Sequence, residues 1–178
     1  MNADDYIKHW KKNNVASHLV WPKHQKRFKT IASYCQGVSA IDVRCAFGDS
    51  TFFLNTYYRV HWTGIDFSES AIKEACLKYP KMYWRYYPNL KSLIIDHQRF
   101  DTVVCSEVIE HVDIDFEFVE DLWRITEKIL IITTPKRTVN DPGHLRLYNM
   151  DSLDALFLGF PHEIISDEAF YYIICRKN

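Results

Sequence analysis

The sequence predicts an α/β fold: a doubly wound, mostly parallel sheet of seven strands that ends in an antiparallel C-terminal hairpin. Three observations lead to this prediction. Apolar strand-like segments alternate with helical segments along most of the 178 residues. Residues 102–105 and 128–133 are mainly apolar runs, as in central parallel strands that are covered on both faces. Residues 166–168 leave too little chain between the last two strands for a crossover helix, so these strands pair as a hairpin.

Each predicted element follows from its own pattern. Strands are expected at residues 38–43, 60–65, 82–87, 101–106, 128–134, 162–166 and 169–175. Helices are expected at 49–57, 68–79, 115–127 and 150–158, with a weaker one near 90–96. Residues 5–36 also have a helical pattern, which breaks near Pro22 because proline disfavours helix in the residue before it. We expect one domain, 1–178, in which helices within 1–36 form the lid or substrate side of an α/β core at 37–178.

The composition is that of an ordinary soluble globular protein. Hydrophobic residues make up 47% and charged residues 25%, and the net charge of −1 implies no overall attraction to polyanions. The charge is unevenly distributed, because Lys8 to Lys29 carries seven basic residues and no acidic one. We interpret this stretch as the solvated face of N-terminal helices; a surface for an anionic substrate is the alternative.

The cysteines argue against two classes of small protein. The five cysteines are scattered and form no Cys-x-x-Cys pair, which excludes a zinc ribbon and a disulfide framework and favours a reducing compartment. The polar N-terminus has no signal-peptide pattern, and no apolar run is long enough to span a membrane. These features predict a cytoplasmic protein that does not associate with a membrane.

Residues 40–50 are the most informative stretch. A strand ends on Asp42, a short loop follows, and a helix starts at Asp49 or Ser50, which are both good N-cap residues. The next strand ends on Asp66. In parallel α/β sheets, this strand–loop–helix–strand unit places a helix N-terminus beside a polar ligand and an acidic side chain beside ribose hydroxyls. The unit therefore predicts a nucleoside-type cofactor.

An ordered series of motifs carries a resemblance to a known family. The motifs lie at 42–48, 64–66, 100–112, 131–135 and 143–148. With them the chain resembles the class I S-adenosylmethionine-dependent methyltransferases, over nearly all of its length from Gly37 onward. The resemblance implies a Rossmann-like fold and S-adenosylmethionine as cofactor. The cofactor-binding positions that it implies are Asp42, Arg44, Ala46, Gly48, Asp66, Phe67, Asn89 and Glu107.

The chain departs from the family pattern in two places. Arg44 and Ala46 replace two of the three glycines of the family loop, and glycines let a backbone approach its ligand closely. The Arg44 guanidinium could fill the methionine pocket, neutralise Asp42 or Glu107, or pair with the cofactor carboxylate. After the third strand, where the family often has an aspartate near the adenine, an aromatic side chain, Asn89 or a backbone group is left to contact the base.

The acceptor side is predicted from a second motif. Glu107, Glu110 and His111 have the spacing that puts three side chains on one face of a helical turn. Within the family, this motif resembles two metal-assisted groups, the small-RNA 3′-terminal 2′-O-methyltransferases and the ubiquinone-type O-methyltransferases. The resemblance implies His144 as a fourth residue, and Mg²⁺ or Mn²⁺ as the ion. The alternatives are a metal-free site with Glu110 or His111 in it, and a purely structural role.

These observations together predict an S-adenosylmethionine-dependent methyltransferase. The catalytic residues expected are Glu107, Glu110, His111 and His144, acting on an oxygen of a small molecule or of a nucleic-acid end. An RNA-end enzyme would need the basic N-terminal face around Lys23, Lys26 and Arg27. The alternative is a methyltransferase-like binding protein that is catalytically impaired because Arg44 and Ala46 replace loop glycines. A nucleotide-dependent oxidoreductase is disfavoured, since the Gly-x-Gly-x-x-Gly loop is missing.

Overall fold

The computed structural model of the protein describes residues 21–137 and 143–177, and the helix predicted before residue 21 lies outside them. Its strands are β1 (Ser39–Val43), β2 (His61–Asp66), β3 (Tyr83–Tyr86), β4 (Phe100–Ser106), β5 (Thr126–Pro135), β6 (His162–Ser166) and β7 (Phe170–Arg176). They form one sheet in the order β3-β2-β1-β4-β5-β7-β6. Strands β1 to β5 pair in parallel, and β7 is antiparallel to both β5 and β6. The predicted fold class is confirmed.

Most of the helices begin at an N-terminal signal, but the helix after β1 begins after Gly48 and lacks the side-chain cap expected from Asp49 or Ser50. They are α1 (Pro22–Tyr34), α2 (Asp49–Tyr57), α3 (Glu69–Lys78), α4 (Leu90–Ile95), α5 (Asp115–Ile125) and α6 (Met150–Leu156). Pro22 opens α1, at a position whose N–H has no partner within a helix. The Ser68 hydroxyl caps α3 by accepting from the Ala71 N–H at 3.2 Å. A single turn of 3₁₀ helix at Ile109–His111 separates β4 from α5.

The core lies on both faces of the sheet, which explains the continuous apolar runs. Along β4, Val103 belongs to the cluster shared with α5 and α6, whereas Val104 belongs to the cluster shared with α1 and α2. Ile129 and Leu130 of β5 divide between the two clusters in the same way. Every one of these four side chains is fully buried. The central strands could therefore be located from the sequence alone.

The strand register brings the polar residues of interest to one edge of the sheet. Asp42 of β1 lies opposite Gly64 of β2 and Val104 of β4. Asp66 ends β2, and Glu107 follows β4 directly. The strand order reverses between β1 and β4, and open parallel sheets bind their ligands beyond the carboxyl ends of the strands at such a reversal. Among the described helices, none is long and apolar enough to cross a membrane.

Candidate functional site

The loop after β1 adopts a conformation that normally requires glycine. Arg44, Ala46 and Gly48 have φ angles of 62°, 49° and 82°. The left-handed region costs an L-residue about 1–2 kcal/mol, so two of these three residues are strained. The Cys45 N–H donates to the Ile65 carbonyl at 2.9 Å and holds the loop against β2. The chain thus retains the backbone of a glycine-rich loop without two of its glycines.

Gly48 has a packing role that the sequence did not reveal. A Cβ atom built on Gly48 would overlap the Trp84 ring, and one built on Gly64 would overlap the same ring. The Trp84 indole N–H donates to the Tyr79 carbonyl at 3.0 Å, which fixes the ring. Trp84 therefore packs against β2 and the start of α2.

Asp42 is buried under the start of α2. One carboxylate oxygen accepts from the Ser50 hydroxyl at 2.6 Å and from the Thr51 hydroxyl at 2.7 Å. Burial raises the pKa of Asp42 to about 6, although the two hydroxyl groups favour the ionised form. The carboxylate fixes the start of α2 relative to β1.

Asp66 ties two loops together at the end of β2. Its carboxylate oxygens accept from the Ala46 N–H at 2.9 Å and from the Ser68 N–H at 2.8 Å. Burial raises the pKa of Asp66, and these two backbone donors oppose the rise. Each carboxylate oxygen can accept a second hydrogen bond, so this arrangement leaves acceptor capacity for a ligand hydroxyl.

The Arg44 side chain lies on an aromatic face. Its guanidinium carbon is 4.2 Å from the centre of the Phe67 ring and 5.9 Å from that of Phe118, which belongs to α5. Within the described ranges, no carboxylate lies within ion-pair distance of this guanidinium. Of the positions that the sequence left open for Arg44, the structure gives neither a pair with Asp42 nor one with Glu107.

The predicted adenine contact at Asn89 has a structural role in this conformation. The Asn89 side-chain oxygen caps α4 by accepting from the Ser92 N–H at 3.1 Å. Its amide nitrogen is not engaged in that cap. The Asn89 side chain is thus fixed at the carboxyl end of β3 by the helix that it begins.

Sequence reasoning placed Arg27 on a basic surface, but this side chain is buried. Only 5% of Arg27 is exposed, and its Nη1 atom lies 2.5 Å from Oε2 of Glu107. The phenyl rings of Phe28 and Phe170 flank the guanidinium, with centres 4.8 and 4.7 Å from its carbon. Glu107 itself has a left-handed backbone, with φ at 57°. The helical spacing of Arg27 with the buried His24, Phe28 and Ile31 is the signal that could have located it on the inner face of α1.

Three of the four predicted acceptor-side residues come together. Glu110, His111 and His144 offer ligand atoms that lie within 4.8 Å of one another. The rings of His111 and His144 meet edge to face, with centres 4.5 Å apart. Glu107, the fourth predicted residue, forms the ion pair with Arg27.

Glu110 is the most buried member of this cluster, with 1% of its surface exposed. One of its oxygens accepts from the Thr134 hydroxyl at 3.2 Å, and the other has no hydrogen-bond partner among the described residues. Burial raises the pKa of Glu110 to about 8, and the charge of Glu107 adds to the rise. A buried carboxyl oxygen without a partner is costly unless a ligand satisfies it.

Residues 143–149, which we call the strap, hold His144 over the 3₁₀ turn. The Leu145 N–H donates to the Glu110 carbonyl at 2.8 Å. Arg146 forms an ion pair with Asp115, and the Tyr148 hydroxyl donates to the same carboxylate at 2.7 Å. His111 Nδ1 lies 2.9 Å from the Gly143 carbonyl. A carbonyl only accepts, so Nδ1 carries the proton, and the lone pair of a neutral His111 ring is on Nε2.

Comparison with known proteins shows similarity to methyltransferases. Residues 41–130 match the family described as "Methyltransferase domain". A probable S-adenosylmethionine-dependent methyltransferase of Mycolicibacterium smegmatis is 25% identical over 123 residues, or 68% of this chain and 47% of that protein. The chain thus spans about half the length of the curated relatives it matches.

Many solved structures share the fold, and two methyltransferases are among them. A SAM-dependent methyltransferase from Archaeoglobus fulgidus has a TM-score of 0.73 and 19% identity, with 97% of this chain and 99% of that chain covered. Magnesium protoporphyrin IX methyltransferase from Synechocystis, with bound SAH, has a TM-score of 0.68 and 15% identity, with 87% and 84% covered.

Proposed function

This chain belongs to the methyltransferase-domain family, within the class I S-adenosylmethionine-dependent superfamily, and from that premise we propose that it transfers a methyl group from S-adenosylmethionine to an acceptor oxygen. The loop after β1 is the observation that carries the proposal. Its backbone is left-handed at Arg44, Ala46 and Gly48, between the buried Asp42 and Asp66. Strain of this kind persists only where the surroundings impose it, and it concentrates at ligand sites.

The adenosine end of the donor fits the residues after β2. Asp66 has acceptor capacity for a ribose hydroxyl, since the backbone donors of Ala46, Phe67 and Ser68 do not use all the lone pairs of its two oxygens. The Phe67 ring offers an aromatic face to the adenine, and the Asn89 amide nitrogen offers a donor beyond β3. Ala46 and Gly48, in the loop after β1, have no bulky side chain that would obstruct the donor.

The amino-acid end of the donor fits the pair of Arg27 and Glu107. The guanidinium can donate to an α-carboxylate in a fork, and the Glu107 carboxylate can accept from an α-ammonium group. The two side chains form an ion pair at 2.5 Å in the free protein. A zwitterionic ligand would replace this ion pair by two, one between Arg27 and its carboxylate and one between Glu107 and its ammonium group. The charge of Arg27 also acts on the buried Asp42, so a second carboxylate lies near this pair.

Methyl transfer places limited demands on the protein. When bound, S-adenosylmethionine supplies a methyl group on a positively charged sulfur, which keeps the electron pair of the broken C–S bond as the acceptor oxygen bonds to carbon. The chain has to align the acceptor, exclude water and take the acceptor proton. His111 is suited to the proton, because the Gly143 carbonyl holds its Nδ1–H and leaves the lone pair on Nε2.

The cluster of Glu110, His111 and His144 also fits a divalent cation. Its three ligand atoms lie within 4.8 Å, and the Glu110 oxygen without a partner is a carboxylate ligand in need of one. The Gly143 carbonyl accepts from Nδ1–H of His111 and so orients the ring to bind an ion through Nε2. Two imidazoles and one carboxylate suit Mn²⁺ better than Mg²⁺, which prefers oxygen ligands. An ion held there would take the Nε2 lone pair of His111, so it would replace that ring as proton acceptor and would instead lower the pKa of the acceptor hydroxyl as a Lewis acid.

A small molecule is the acceptor that we propose first, and an RNA end second. Lys23 and Lys26 are exposed on α1, but Arg27 is not available to a phosphate on that surface. If the acceptor is an RNA end, charge reversal at Lys23 and Lys26 should weaken RNA binding and reduce its dependence on salt. A small-molecule enzyme would be indifferent to both changes.

Calorimetric titration with S-adenosylmethionine and with S-adenosylhomocysteine tests the proposal. We expect dissociation constants in the micromolar range, about −8 kcal/mol. An Asp66→Ala variant should bind neither, whereas Asp154→Ala, at an exposed site in α6, should bind both like the unmodified chain. Methyl transfer to a panel of hydroxylated acceptors, with and without Mn²⁺, then identifies the acceptor class. Absence of binding by the folded, unmodified chain would refute the proposal.

The impaired binding protein is the alternative function. The position of Arg44 over Phe67 favours it, because the guanidinium contacts the ring that we assign to the adenine. This alternative predicts absent or feeble donor binding by the unmodified chain, which recovers in Arg44→Gly, and no methyl transfer by the unmodified chain. Transfer by the unmodified chain would exclude it.

A further inference from the structure

Among the described residues, the Arg44 guanidinium contacts aromatic rings and forms no ion pair. It lies 4.2 Å from the Phe67 ring centre and 5.9 Å from the Phe118 ring centre. A cation within about 6 Å of a ring centre is attracted to the ring face. The Arg44 guanidinium also attracts the Asp66 carboxylate, which lies next to Phe67 in sequence. Arg44 is thus held over the end of β2 by contacts with the protein itself.

The backbone at Arg44 directs the side chain to this place. A residue with φ at 62° presents its Cβ in a direction that a right-handed or extended residue does not. The loop is fixed on both sides of Arg44, by Asp42 under α2 and by the Cys45 N–H bond to β2. The guanidinium can leave Phe67 by rotation of its side chain, but the loop cannot easily turn it away.

We propose that Arg44 is an autoinhibitory residue that fills the adenosine end of the donor pocket in the free protein, so that a donor binds only by displacing the guanidinium from Phe67. This inference rests on the proposed function, which assigns Phe67 to the adenine. A planar guanidinium and a planar base compete for the same ring. The observed donor affinity is therefore the intrinsic affinity reduced by the fraction of molecules in which Arg44 covers the site.

Repulsion between the Arg44 charge and the donor sulfur would affect binding differently from displacement of the guanidinium. A guanidinium that repelled the positively charged sulfur would weaken S-adenosylmethionine and leave the neutral S-adenosylhomocysteine unaffected. Displacement from Phe67 weakens every ligand that carries an adenosine, whatever the charge on its sulfur. The two mechanisms can thus be separated by a pair of ligands that differ in one methyl group.

The test uses Arg44→Ala, which removes the guanidinium but keeps an L-residue in the strained loop, as Ala46 already does. Calorimetry is performed with S-adenosylmethionine, S-adenosylhomocysteine and 5′-methylthioadenosine, which lacks the amino-acid end. We expect all three to bind Arg44→Ala about 3- to 30-fold more tightly than the unmodified chain, the range that one cation–π contact supplies. Arg44→Gln, with a planar but uncharged end, should fall between the two and serves as the second variant if Arg44→Ala does not fold.

The outcomes separate this inference from the function on which it rests. A gain for S-adenosylmethionine alone would show charge repulsion and overturn displacement. Equal or weaker affinity of the folded variants for all three ligands would also overturn it, while binding by the unmodified chain would leave the proposed function standing. Absence of binding by the unmodified chain and by both folded variants would refute the proposed function and this inference with it.

Discussion

The proposed donor side and the proposed acceptor side of the candidate site are built in different ways. The donor side, residues 42–48 with Asp66 and Phe67, owes its shape to backbone conformation and to backbone donors on a buried carboxylate. The acceptor side, Glu110, His111 and His144, owes its shape to side chains that two distant segments bring together. A backbone-built site can keep its geometry when its side chains change, as at Arg44. A side-chain-built site has no such freedom.

The largest expected effect tests this contrast through catalysis. His111→Ala should lower kcat/KM by about 10²- to 10⁴-fold, the usual contribution of a positioned general base, because the side chain that takes the acceptor proton is lost. Affinity for S-adenosylhomocysteine should stay within twofold, since the donor side does not use this ring. Methyl transfer to the acceptor found in the screen gives the first quantity and calorimetry the second.

His162→Ala is the matched control, because His162 lies on the edge strand β6 and contacts Asp154. Its activity should equal that of the unmodified chain. If His111→Ala lost donor binding together with activity, the proposed donor and acceptor sides would depend on each other, and the distinction between them would be wrong.

The next effect concerns stability on the donor side. Gly48→Ala should lower the free energy of unfolding by about 2–4 kcal/mol, because an L-residue at a φ of 82° is strained and its Cβ overlaps the Trp84 ring. Urea denaturation measures the change. Gly159→Ala, where a Cβ would meet no atom within 4 Å, should change stability by less than about 0.5 kcal/mol. Similar losses at both positions would mean that Trp84 does not constrain the loop.

A smaller effect appears as a pH dependence. The pKa of Asp42 is about 6 in the folded protein, against 3.8 for an ordinary aspartate, so between these pH values the folded state holds a proton that the unfolded state has released. Stability from this group is therefore highest below about pH 4 and declines as pH rises through 6. Asp42→Asn should remove the decline, a difference of the order of 2 kcal/mol between the two pH values. Parallel pH–stability curves for the two proteins would contradict the assignment.

The sequence allowed the fold to be predicted, and it identified part of the candidate site. The central strands could be placed because residues such as Val103 and Val104 are buried on opposite faces. Asp42, Asp66 and the Glu110–His111 pair could be found because they follow strands at fixed spacing. The burial of Arg27 could not be assigned in this way, because it depends on Glu107 and Phe170, which lie far along the chain. The contact of Arg44 with Phe67 depends on a left-handed φ, which could not be predicted because arginine rarely adopts that backbone conformation.

The smallest expected effect is the most direct test of the backbone argument. Ala46→Gly should stabilise the protein by about 0.5–1 kcal/mol, because glycine adopts a φ of 49° without the strain that alanine bears. The same substitution at Ala75, which is buried in the interior of α3, should destabilise it by about 1 kcal/mol or more, since glycine loses backbone entropy and packing there. Thermal denaturation of the two variants should therefore shift the midpoint in opposite directions. A loss of stability at both positions would show that Ala46 is not strained, and the loop after β1 would then owe its shape to its side chains after all.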